Sequence, residues 1–127
     1  MTSLIKADNI AKADGTSEVA TEYVTQGSAK AAANIDRQAT PAIDYSFNLS
    51  SISDIATGQV GITLASSLSD ANWSGSLSVV DSSAGRNSYA VNGGAPTASY
   101  VQANVTNASN SFAGIADLGF QAFGDLA

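Results

Sequence analysis

The groups best able to do chemistry in this 127-residue chain are eleven carboxylates, and no histidine or cysteine accompanies them. Paired acids can transfer protons or hold a divalent cation, but only at close spacing. Asp36, Asp44, Asp54, Asp70, Asp81, Asp117 and Asp125 are far apart, and most sit beside turns, where the short side chain bonds the local backbone. No stretch has the alternating oxygen ligands and central glycine of a helix–loop–helix calcium site. Without His or Cys, a structural zinc site, a thiol nucleophile and a Ser-His-Asp triad are all ruled out. Asn92-Gly93-Gly94 is glycine-rich like a phosphate-cradling loop, but no lysine follows it and no strand–turn–helix surrounds it, so it reads as a turn. The expectation is a protein that is not an enzyme and uses no metal or cofactor.

Partners are narrowed by charge. Five cations against eleven acids, a formal net charge of −6, cannot neutralise a row of phosphates, so nucleic acid is not an expected ligand. No run approaches the ~18 apolar residues of a membrane helix, and no charged-then-apolar leader opens the chain, so membrane insertion and secretion are not expected. Four Asn-x-Ser/Thr sequons, at Asn48, Asn72, Asn104 and Asn107, are what chance produces in a chain rich in these residues. Aromatic side chains are the remaining candidates for recognition, since their faces stack on sugars and bury large areas at protein interfaces. Trp73 is in phase with Leu77 and Val79, which assigns it to core packing. Tyr89 and Tyr100 flank the turn cluster at Asn92–Pro96 and divide evenly between packing and recognition.

Short strands separated by turns must position these groups. Tyr45, Phe47 and Leu49 alternate with polar residues, and Ile52 to Gly58 reads as a turn. Val60, Ile62 and Leu64 alternate again, as do Trp73, Gly75, Leu77 and Val79. Ser88 to Val91 is a short strand, and Ser99 to Thr106 alternates through Val101, Ala103 and Val105. Leu118, Phe120 and Ala122 suit a closing strand, because the glycines around them disfavour a helix. Ser28 to Ile35 fits strand or helix, and Thr40-Pro41 would end a helix. Turn signals every 8–12 residues predict an all-β chain, an antiparallel β-sandwich of about seven strands over residues 27–127. Residues 1–26 hold six of the sixteen charges and no regular period, and read as an extended N-terminal arm that orders on a partner or frays.

Only 13% of residues are charged, about half the usual share, and alanine dominates the 44% that are apolar. A core of small side chains buries little area per residue, at ~25 cal/mol per Å². Burial between identical chains would make up the difference.

Tyr45 to Leu64, YSFNLSSISDIATGQVGITL, followed by Leu68-Ser-Asp-Ala-Asn-Trp73, resembles a module of tailed-phage fibre and receptor-binding proteins. Gly27-Ser-Ala-Lys-Ala31 and Phe123-Gly-Asp-Leu-Ala127 are similar to that module's start and end. Leu4 to Ile10 with Asp14-Gly-Thr16 is similar to the linker before it. Two departures stand out. Asp54-Ile-Ala-Thr-Gly58 replaces the module's usual Asp-x-Gly-Thr-Gly turn, and alanine replaces an aromatic between Lys30 and Asn34, which points to closer packing there or at a chain interface.

The resemblance implies a virion protein, a homotrimeric appendage engaging a host-surface glycan or protein, and it carries over no catalytic residues. Loops on a rigid sandwich carry recognition, so the receptor-contact candidates are Tyr89, Asn92, Gly93, Gly94 and Tyr100, with the Asp81–Asn87 loop beside them. Leu4, Ile5 and Ile10 are the candidates for attachment to other virion proteins of the tail or capsid. The alternative is a capsid decoration, cement or head-fibre protein that stabilises the shell.

Overall fold

A computed structural model describes residues 7–37, 40–80, 87–90, 96–107, 109, 111–112 and 117–127, with the backbone alone for Val80 and Asn87–Ala90. The first elements form a small hairpin of β1 (Asn9–Ala11) and β2 (Glu18–Ala20), followed by a short helix α1 (Thr21–Gly27). Over its described residues, the expected extended arm is therefore a hairpin with one helix behind it. Gly15 makes this possible, holding φ at +69° in the turn, where a side chain would be strained. Asp14 reinforces the turn by accepting from the backbone N–H and the hydroxyl of Thr16, at 2.9 and 2.7 Å.

Eight strands follow: β3 (Ala31–Asp36), β4 (Ala42–Phe47), β5 (Leu49–Ala56), β6 (Gln59–Leu64), β7 (Ser74–Val80), β8 (Asn87–Ala90), β9 (Tyr100–Thr106) and β10 (Asp117–Phe123). They make two antiparallel sheets in the orders β4-β3-β10-β7 and β5-β6-β9-β8. The fold is all-β as predicted, with eight strands in the sheets rather than about seven. Ser28 to Ile35, open between strand and helix, resolves as β3.

The core lies between the sheets and follows the pleat. Ala31, Ala33 and Ile35 of β3 and Leu118, Phe120 and Ala122 of β10 meet Val60, Ile62 and Leu64 of β6 and Val101, Ala103 and Val105 of β9. Every second residue of the central strands points inward, which is the alternation visible in sequence. Leu77, Val79 and Trp73 close the β7 side, and Leu49 and Ile52 close the β5 side. Trp73 meets Phe120 edge-to-face, with ring centroids 6.3 Å apart, and its indole N–H donates to the Thr97 carbonyl at 2.9 Å. Its packing role is as expected.

The region 44–58 departs from expectation. One strand was predicted before a turn at Ile52–Gly58, whereas β4 ends at Phe47, Asn48 turns the corner into the other sheet, and β5 runs on to Ala56. Ile52 and Ser53 pair with Ile62 and Gly61, so only Thr57 and Gly58 are left for the turn, Gly58 at φ +73°. The serines that resemble a loop are the solvent face of an edge strand. Asn48 takes φ +58°, which asparagine tolerates better than most residues. Its amide nitrogen donates to the carbonyls of Lys30 and Ser66, at 2.9 and 3.1 Å, and its Oδ1 accepts from the Ser66 N–H at 2.7 Å. At the opposite end, Arg37 reaches from the end of β3 to the β5–β6 turn, donating to the carbonyls of Gln59 and Ala56 and pairing with Asp54 at 3.3 Å.

Candidate functional site

Of the predicted recognition residues, Tyr100 is the one whose side chain is described. It begins β9 opposite Thr63, and its ring lies over Gly61, where an added Cβ would come within 2.7 Å of the hydroxyl and 2.9 Å of Cε2. Glycine at 61 therefore lets a half-buried tyrosine lie flat on the outer face of the second sheet. Tyr89 is in β8 with its backbone opposite Asn104, four residues along β9 from Tyr100. The two tyrosines thus share a sheet but stand about 13 Å apart along the strands. Asn92, Gly93 and Gly94, like the loop from Asp81 to Arg86, lie outside the described residues.

Among the attachment candidates, Leu4 and Ile5 also lie outside the described residues. Ile10 is half exposed in β1, directly across from Val19, which is likewise exposed. Tyr23 and Val24 of α1 are exposed as well, and none of the described residues of this segment is buried in the core.

The carboxylates are put to local use. Asp70 accepts from the Asn72 N–H at 2.6 Å, and the two Thr16 bonds, the hydroxyl's first, hold the Asp14 carboxyl below the ordinary aspartate range. Asp36 and Asp117 stand opposite one another on β3 and β10. Among the described residues no three possible ligands gather to hold a metal ion.

A shallow groove on the outer face of the first sheet was not singled out from the sequence. Its volume is about 370 Å³. The strand register sets two rungs across all four strands on this face, Tyr45, Asn34, Gly119 and Ser78, then Phe47, Ala32, Gln121 and Ser76, and all of these but Phe47 line the groove. Tyr45 is 61% and Phe47 54% exposed. The alternation of Tyr45 and Phe47 was legible, but it says only that they share a face. The pleat places them outside because Ser46 is the residue opposite buried Ala33.

Comparison of the chain with protein families, curated proteins and solved structures returns no match.

Proposed function

We propose that this chain is a non-enzymatic structural protein of a tailed-phage virion, a short fibre or appendage whose sandwich is displayed for adsorption to the host surface. The observation that carries the reading is the division of labour along the chain. The two four-stranded sheets enclose a continuous core, while the hairpin and helix before them bury none of their residues and expose Ile10, Val19, Tyr23 and Val24. Apolar side chains left uncovered on such a segment suit attachment to another virion protein. The module-like text from Tyr45 to Trp73 supports the same reading, and so does a surface of small hydroxyl and amide groups with few charges.

In this account the chain assembles as a homotrimer, which supplies burial that its small-residue core lacks. Recognition works by repetition, since many weak contacts together exceed the affinity of one by ~10²–10⁴. The partners are other virion proteins through residues 1–26 and a host-surface glycan or protein through the sandwich.

The test uses fluorescently labelled protein, full-length and lacking residues 1–26. Full-length protein is expected to rejoin virions stripped of it and to bind host cells, and the truncated form to bind cells alone. If the truncated form rejoins virions as well as the full chain does, the arm is not the attachment, and if neither form binds cells, the adsorption reading fails.

A further inference from the structure

We infer that the outer face of the first sheet is a binding site for an uncharged glycan chain, with a sugar ring stacked on Tyr45 and its hydroxyls held by the amides of Asn34 and Gln121. The inference rests on the adsorption reading above and adds to it the ligand class and the face.

The register sets out the site. Tyr45, Asn34, Gly119 and Ser78 make one rung and Phe47, Ala32, Gln121 and Ser76 the next, so aromatic rings stand at one side, amides in the middle and hydroxyls at the other. Three inter-strand spacings separate β4 from β7, about 14 Å, which is the length of a short oligosaccharide. A pyranose ring has an apolar C–H face, which an exposed tyrosine ring covers, and vicinal hydroxyls that both donate and accept. A carboxamide offers two donors and two acceptor lone pairs in one plane and matches such a pair. Among the described residues, neither the Asn34 nor the Gln121 side chain makes a hydrogen bond within the protein, so both amides are available.

Gly119 gives the Ser78 hydroxyl room to lie over the floor of the groove. A Cβ there would collide with the Ser78 hydroxyl, which leans across it. Charge selects the occupant. Among the described residues no acidic or basic side chain lines the groove, and the next rung on the same face brings Asp36 opposite Asp117. Those carboxylates, on a chain of net charge −6, repel anionic sugars and leave uncharged ones.

The experiment is an NMR titration of the full-length protein with cellohexaose, maltohexaose, mannohexaose and chitohexaose, and with hexagalacturonate as the anionic probe. At least one uncharged hexasaccharide is expected to shift the backbone amides of Asn34, Tyr45, Gly119 and Gln121, with hexagalacturonate shifting none. Tyr45→Ala and Gly119→Val are expected to weaken that binding about tenfold, and Tyr45→Phe to preserve it. Both weakened positions are on the outer face, and circular dichroism checks that each variant is folded. The inference is overturned if no uncharged hexasaccharide shifts these amides, or if the shifts gather around Tyr100 and Gly61. It is equally overturned if Tyr45→Ala lowers the native mass, which would make the face a contact between copies. Labelled-protein binding to host cells separates the two ideas: cell binding without glycan shifts sinks this site and leaves adsorption standing, whereas glycan shifts without cell binding do the reverse.

Discussion

Asn48 does more for the fold than any catalogue of hydrophobic residues would suggest. It takes a left-handed backbone at the corner between two sheets, and its side chain bonds Lys30 and Ser66. Asn48→Ala should cost about 3 kcal/mol, combining lost hydrogen bonds at about 1 kcal/mol each with alanine's poorer tolerance of the left-handed region. Asn48→Gly should cost less, because it keeps the backbone conformation. Urea midpoints of the two variants give the order, and equal losses would show that the conformation contributes nothing. Thr106 presents the opposite case. Its hydroxyl is buried without a hydrogen-bond partner, a state that destabilises the fold. Thr106→Val keeps the shape and should raise stability by about 1 kcal/mol, seen as a higher thermal midpoint. A lower midpoint would show that the hydroxyl is satisfied in solution.

At the scale of elements, the central strands β6, β9 and β10 and the edge strand β7 were legible from alternation, whereas the central β3, built largely of alanines, fitted strand or helix equally. In β6, β9 and β10 a strand pairs on each side and the core covers one face, so every second residue must be apolar. Edge strands obey a weaker rule. In β5, Ser51 and Ser53 face solvent and imitate a loop, which is why a turn was expected where Ile52 pairs with Ile62. The candidate site suffered from the same limit: Tyr45 and Phe47 could be seen to share a face, but which face is decided by the pairing of Ser46 with Ala33. Tyr100 was picked out by type and place, whereas its seat over Gly61 depends on a cross-strand neighbour distant in sequence.

Arg37 ties the end of β3 to the β5–β6 turn, and its side chain is 6% exposed while that of Asp54 is 56% exposed. Arg37→Met keeps the aliphatic stem but strands two carbonyl acceptors, so it should cost about 1–3 kcal/mol. Asp54→Asn touches only a solvent-screened pair and should change stability by less than about 0.5 kcal/mol. Comparable losses in the two denaturation curves would mean that the ion pair, not the carbonyl bonds, holds the turn.

At the scale of the whole molecule, the account joins a display domain with a small-residue core to a separate segment that offers a few exposed apolar side chains for attachment. The assembly it calls for has a definite mass. Light scattering over a dilution series should give three times the 12.7 kDa chain mass, about 38 kDa, unchanged on dilution. A monomer would show that the sandwich is stable alone and would move the weight toward a decoration protein that orders on the shell.

The central claim is adsorption, and the most direct measurement is the adsorption rate constant of virions with and without this protein, alongside their survival on heating. The account predicts that virions lacking it adsorb at least about tenfold more slowly, as loss of a multivalent contact requires, and inactivate on heating at an unchanged rate. Unchanged adsorption with faster heat inactivation would contradict it and identify the chain as a protein that stabilises the shell.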